Sequence, residues 1–202
     1  MTAKATRHRS FADKAKVKQA MTQAAAELLV GEGYEGVTLA KVAKRVGFAT
    51  TNVYRYFASK DDLIYAAIED GFVAFGERLE AAYRSTDAPV ERILALGRAY
   101  VGFAADYPVH YELMFVLKTD YLFGERPVPG VDKLGYLTQA IAEAMARGVI
   151  RQGNIQAMVN AHWALLHGVI SLANAMPFID NRQREEAIEE AFTVTKLSLK
   201  PR

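Results

Sequence analysis

"GYEGVTLAKVAKRVGFATTNVYRYFASKDDLIYAAIE", residues 33–69, decides how this chain is read. Thr38 is a candidate N-cap, because its hydroxyl can accept an early backbone N–H. Leu39, Val42, Ala43 and Val46 recur at helical spacing, Gly47 can end that short helix, and Val37 with Val42 fits a hydrophobic staple. Lys41 stands where a full capping box needs Glu. "FATTNVYRYF", residues 48–57, reads as a second short helix. Ser59 starts a further one, with Asp62 completing a capping-box pattern and Asp61 favourable to the helix dipole.

Outward from this stretch the period stays helical. Val17, Met21, Ala24 and Leu28 make an amphipathic first helix that stops in "GEGYEG", residues 31–36. Ile64, Ile68, Phe72, Phe75, Leu79 and Tyr83 form one stripe of a long helix that "STDAP", residues 85–89, interrupts; Pro89 can open the next. Further helices are predicted at about 90–105, 108–118, 132–148, 155–175 and 182–198. "TDYLFGERPVPGVD", residues 119–132, is the one long irregular stretch, of the kind that is functional or mobile. There is no strand pattern, internal repeat or low-complexity tract, and the fold class expected is all-α.

Composition narrows the function classes. At 202 residues and 51% apolar content the chain can bury a core without disulfides or metals. It has no cysteine, which excludes thiolate catalysis and Cys-ligated zinc and is compatible with a reducing, cytoplasmic setting. "MTAKATRHRSFADK" lacks the apolar stretch of a secretory signal. Gln152 to Ile179 is uncharged and long enough to cross a bilayer. Asn154, Gln156, Asn160, His162, His167, Ser171, Asn174 and Pro177 make it a buried helix instead, and no membrane partner is expected. His162 and His167 are five apart rather than the four of a metal-binding face. No H-E-x-x-H, G-x-S-x-G, Walker loop or dinucleotide fingerprint occurs. "REEAIEE" reads as a solvated face. The chain is expected to be no enzyme, with no cofactor and no metal.

Charge is uneven. Residues 1–60 carry 11 Lys/Arg against 4 Asp/Glu, and the remainder carries 14 against 19. A basic N-terminal third suggests a module that meets a polyanion. Three helices, the last two short and joined at a glycine turn, outline a helix-turn-helix whose final helix enters the DNA major groove. With Val53 at the origin, Phe57 falls at about 40°, Thr51 at about 160°, Arg55 at about 200° and Asn52 at about 260°. Tyr54 and Tyr56 flank the two edges. Val53 and Phe57 therefore face the core, and the opposite side offers groups that read bases and hold phosphates. Lys60 and Thr38 are placed for backbone phosphates, and Lys44 either for a phosphate or as a solvated lysine.

These residues resemble the DNA-binding domain of the tetracycline-repressor (TetR) family of transcriptional regulators, over about residues 15–70. The glycine turn, the T-x-x-x-[VI]-A stretch, the V-G-[VF] turn and the closing "YRYFASKDDL" carry the likeness. The resemblance implies a homodimer on a palindromic operator in double-stranded DNA. It implies that Thr50, Thr51, Asn52, Tyr54, Arg55, Tyr56 and Lys60 line the DNA, with Thr38 on the backbone. Ala49 departs from the family's usual capping serine, leaving Thr50 as a substitute cap. Lys4, Arg7, His8 and Arg9 resemble arms that reach a groove or phosphates. The organisation expected is a basic arm at 1–12, the DNA-binding domain at 13–58 and a helical ligand-binding and dimerisation domain at 59–202.

"YPVHYELMF" and "HWALLHGVISL" resemble a C-terminal subtype known for a Trp-His-Gly signature, carried here by Trp163, His167 and Gly168. This half is rich in aromatics and thioethers, among them Tyr100, Phe123, Tyr136 and Met158. Its polar residues His110, Asn160, His162 and His167 need partners if buried. A mainly apolar or aromatic small-molecule inducer is expected near Phe103, Tyr107, Tyr111, Met114, Phe115, Trp163 and His167. Dimerisation is expected through Ile188, Phe192, Thr195 and Leu199 with Leu165, Ile170 and Leu172. A repressor released by such an inducer is the first reading, and a ligand-independent architectural DNA-binding protein the second.

Overall fold

The computed structural model describes residues 2–117, 126–127, 131–176 and 178–201, with side chains from Lys14 onward except that of Val131. The side chains of the basic arm, Phe123, Pro177 and most of the 119–132 stretch lie outside the described residues. Among the described residues the chain runs α1 (Thr2–Gly36), α2 (Leu39–Val46), α3 (Thr50–Val53), α4 (Lys60–Arg84), α5 (Pro89–Asp106), α6 (Pro108–Phe115), a 3-10 helix (Val131–Gly135), α7 (Tyr136–Ala146), α8 (Ile155–Ala175) and α9 (Asn181–Leu199), with no strand. The all-α expectation holds, and no helix described is long and apolar enough to cross a membrane.

Two compact units form, residues 1–74 with 107–129 and residues 75–106 with 130–202. In the first, α1 packs on α2 and α6, and α2 on α3. Met21, Ala25, Leu28, Val37, Val42, Val53, Leu63, Ile64 and Ile68 fill its centre. Gly33, at φ 72°, breaks the end of α1, a conformation that costs glycine least. Gly71 of α4 admits α6: a Cβ there would lie 2.6 Å from Met114 Sδ and 3.3 Å from His110 Cβ. Thr22 Oγ1 donates to Asp70 at 2.5 Å and ties α1 to the same turn of α4.

In the second unit Phe75 meets Phe103 and Tyr100 at ring-centroid distances of 5.0 and 5.8 Å. α5 passes close over α8 and α9 at Gly97, where a Cβ would be 2.8 Å from Phe192 and 3.1 Å from Leu166. Arg92 is buried, and its guanidinium bonds Glu143 at 2.7 Å, Asp87 at 3.0 Å and the Thr86 carbonyl at 2.9 Å. Tyr83 donates to the same Glu143 at 2.6 Å. Burial first, and then this carboxylate, raises the Tyr83 phenol above its ordinary value, while the bond from Tyr83 holds Glu143 below its own. Asn154 caps α8 and Asp180 forms a full capping box with Gln183 on α9.

Two expectations are corrected. The 152–179 segment is not buried throughout: Met158, His162, Leu166 and Ile170 point inward, while Gln156, Asn160, Trp163, Ala164 and Leu172 are exposed. Its buried residues recur every four, so they cover one narrow strip of the helix. The stripe assigned to a second copy is turned inward instead. Ile170, Phe192, Thr195 and Leu199 are buried within the protomer, Phe192 against Gly97, because α5 and α8 already cover that side of α9. Leu165 and Ile188 are half-buried, and Leu172, Val194 and Leu197 are exposed.

Candidate nucleic-acid interface

The interface is built on two short helices and a turn. Thr38 sits in extended backbone and its Oγ1 accepts from Lys41 N at 3.1 Å, so it caps α2 as its sequence position predicts. Gly47 ends α2 in the left-handed region at φ 75°, where a side chain would add strain. Val37 and Val42, the staple pair, are both fully buried.

α3 is shorter than expected. Ala49 occupies its N-cap without a side-chain bond, and regular α-helix spans Thr50–Val53 alone. The chain then tightens, with Arg55 N bonded to Asn52 O at 3.2 Å and Tyr56 N to Val53 O at 2.9 Å, a 3-10 pattern. Phe57 N returns to Val53 O at 3.1 Å. The Ala49 carbonyl accepts from Asn52 N at 2.9 Å, but its side chain offers no acceptor to the first N–H groups, and the ladder is only one turn long.

The facing nevertheless follows the helical wheel. Val53 and Phe57 are buried, each contributing about 1.5–3 kcal/mol relative to exposure. Thr51, Tyr54 and Arg55 are exposed; Thr50, Asn52 and Tyr56 are half-buried. Tyr56 keeps its ring 6.5 Å from that of Phe57, so it lies at the rim of the face.

Structure sorts the basic residues in a way that composition does not. Lys41 pairs with Glu32 at 2.6 Å and Arg45 with Glu27 at 3.3 Å, which neutralises the side of α2 that meets α1. Lys44 and Arg55 are exposed and have no ion-pair partner among the described residues. Among the described residues, Lys44 and Arg55 thus join the exposed Lys14, Lys16 and Lys18 of α1 as basic groups without an ion pair. Lys60, by contrast, is half-buried and engaged: its Nζ donates to the Tyr34 carbonyl at 3.2 Å and lies 3.6 Å from the centre of the Tyr34 ring. Ser59 Oγ accepts from Asp62 N at 3.1 Å and caps α4, while the Asp62 carboxylate pairs with Arg126 at 3.0 Å. Tyr34 escaped the sequence reading, because nothing in its spacing announces a contact with a residue 26 positions away.

The expected inducer residues fall into two groups. In the first unit Tyr111 is buried and Met114 and Phe115 are half-buried, with Phe115 ring-packed on Tyr111 and Phe72 at 5.5 and 6.3 Å; Tyr107 is exposed. In the second unit Phe103 is buried on Phe75, and His167 bonds the Tyr100 hydroxyl through Nδ1 at 2.8 Å, with Trp163 exposed beside it. His162 bonds the Met158 carbonyl and Ser198 Oγ, so its polarity is satisfied inside the fold. Among the described residues no group of three or more His, Cys, Asp or Glu could hold a metal ion.

Known proteins share this architecture. An HTH-type transcriptional regulator of Mycobacterium tuberculosis is 28% identical over 137 residues, 61% of this chain and 55% of the relative. The chain therefore spans about half the length of that relative. The fatty acid metabolism regulator protein of Bacillus subtilis is 24% identical over 133 residues, 64% of this chain and 69% of the relative. Among solved structures, the fatty acid degradation regulator FadR of Bacillus halodurans matches with a TM-score of 0.75 at 15% identity, covering 89% of this chain and 94% of that one. FadR of Bacillus subtilis, solved with stearoyl-CoA, matches with a TM-score of 0.69 at 17% identity over 90% and 97%. Likeness at those identities shows the fold. The family described as "Bacterial regulatory proteins, tetR family" matches residues 22–67, and "Tetracyclin repressor-like, C-terminal domain" matches residues 93–195. With both profiles matched and the helix-turn-helix in place, the chain belongs to the tetracycline-repressor (TetR) family of bacterial regulatory proteins.

Proposed function

We propose that this protein is a transcriptional repressor that binds a palindromic operator as a homodimer and is released by a small, mainly apolar inducer. One observation carries the reading. Val53 and Phe57 anchor the segment in the core while Thr51, Tyr54 and Arg55 stand outward, with Arg55 and Lys44 left without an ion-pair partner among the described residues. A guanidinium free of carboxylates can pair bidentately with guanine, and Asn52 can pair with adenine. Thr38, Thr50, Tyr56 and Lys60 join them on the sugar-phosphate side. The basic arm at 1–12 and the head at 13–58 serve DNA, and 59–202 serve ligand binding and dimerisation.

The apolar side chains left outside on α8 and α9, Trp163, Leu172, Val194 and Leu197, favour a second copy as the cover, with Leu165 and Ile188 at the edges. The Trp163, His167 and Gly168 signature belongs to the same reading. For the inducer, relatives named as fatty acid regulators, one of them solved with stearoyl-CoA, make fatty acids and acyl-CoAs the first compounds to screen. An inducer would act by favouring a spacing of the two heads that does not fit successive grooves. A cytoplasmic site of action follows from this role.

Sequencing of DNA selected by the purified protein tests the reading. A single palindrome should emerge and be preferred over bulk DNA by about 10³-fold or more. Absence of any preferred sequence would favour the architectural alternative. Calorimetry of acyl-CoAs with and without that palindrome tests release, and binding that left DNA affinity unchanged would remove the inducer from the account.

A further inference from the structure

Tyr34 reaches the start of α4 through its phenol, its ring and its carbonyl. Its phenol donates to Asp61 Oδ1 at 2.6 Å. Its ring carries the Lys60 ammonium at 3.6 Å, and its carbonyl accepts from the same ammonium at 3.2 Å. That carbonyl also accepts from Val37 N at 3.2 Å, one residue before the cap of α2. One side chain, just past the break at Gly33, thus grips the first two residues of α4, and its backbone grips the approach to Thr38.

An ammonium has three N–H donors. In this arrangement one is used by the carbonyl and the ring face holds the group electrostatically, so donor capacity remains for an oxyanion. A free lysine stem carries much rotamer entropy, which a binding partner must remove. Held on the ring, the Lys60 stem has already lost most of it. Asp61 fixes the ring in turn, through a bond too short to leave the phenol free to wander.

We propose that Tyr34 is a positioning residue for the DNA-backbone contact: it holds Lys60 preorganised beside the reading turn, ready to share its ammonium with a phosphate. The inference rests on the DNA-binding reading and adds to it a residue that itself touches no DNA. Its chemistry is sequence-independent, so it concerns affinity and salt dependence rather than the choice of base.

The test uses the full-length protein and random-sequence duplex DNA, titrated at several salt concentrations. Lys60→Ala should reduce the slope of log affinity against log salt by about 0.9, the loss of one phosphate contact. Tyr34→Leu should reproduce that reduction and lower affinity by about 2- to 5-fold. Tyr34→Phe, which keeps the ring, should retain the wild-type slope. The Tyr34→Leu, Lys60→Ala double variant should behave as Lys60→Ala alone. A wild-type slope in Tyr34→Leu, or effects of the two variants that add in full, would overturn the proposal and leave Tyr34 a helix staple only. Should Tyr34→Leu fail to fold, the wild-type protein decides by NMR. Ring current should move the Lys60 ε-methylene protons upfield in free protein, and unshifted values there overturn the proposal. Wild-type protein that does not bind the duplex at all is a separate outcome, which removes the DNA reading itself.

Discussion

The turn after α3 and the α8–α9 pair draw on similar residue types and use them oppositely. Around α3, an arginine, two threonines, an asparagine and two tyrosines are held at the surface by two buried anchors, Val53 and Phe57. In the second unit several polar groups are matched inside the fold: His162 with Met158 and Ser198, His167 with Tyr100, and Arg92 with Glu143, Asp87 and Thr86. A polar residue that has its partner is already committed, and a change there is felt as stability. One left without a partner on a rigid element is available to another molecule, and a change there is felt as binding.

That contrast can be broken most directly at Phe192. Buried against Gly97 and Leu166, Phe192→Ala should destabilise the protomer by about 3–5 kcal/mol in urea unfolding. An effect limited to a weaker monomer–dimer equilibrium in sedimentation would instead put Phe192 at an interface. Arg55→Ala should do the reverse, leaving the melting curve in place while weakening specific DNA binding by about 1–3 kcal/mol and relaxing one base position. A melt lowered by as much as binding would mean the outward face is misassigned.

Thr38→Ala lies between the two, because Thr38 both caps α2 and faces solvent. Loss of its bond to Lys41 N should cost about 1 kcal/mol of stability, read by thermal unfolding without DNA. The smallest effect concerns protons. Burial, against the opposing pull of Asp70, holds the His110 imidazole below its ordinary 6.5. The folded state therefore favours the neutral ring. Its contribution is complete above 6.5 and declines as pH falls through 6.5 towards the lowered value, where the unfolded chain takes up the proton first. Urea unfolding measured on either side of that window should show an acid-side loss that His110→Gln diminishes; an unchanged loss would assign the proton to another group.

Much of the reading head was legible because its determinants are local. Thr38, Gly47 and Ser59 act within one turn of where they stand, and the burial of Val53 and Phe57 follows from four-residue spacing. α3 came out shorter than its pattern because the chain tightens to 3-10 bonds after Val53, a change that the apolar spacing does not encode. The stripe of Phe192, Thr195 and Leu199 was legible as apolar, but periodicity says that a face is covered and never by what. The sorting of Lys41 and Arg45 from Lys44 and Arg55 was equally hidden, since their counter-charges come from another helix.

The sequence by itself determined the helices, their caps and breaks, the family, and which side of the reading turn is apolar, because each rests on neighbours within about four residues or on a specific run of them. Only the tertiary structure decided that α5 and α8 cover the Phe192 stripe, which cations stay unpaired, and that Tyr34 holds Lys60. Those outcomes depend on contacts between residues from 9 to more than 90 positions apart, which the helical period does not encode.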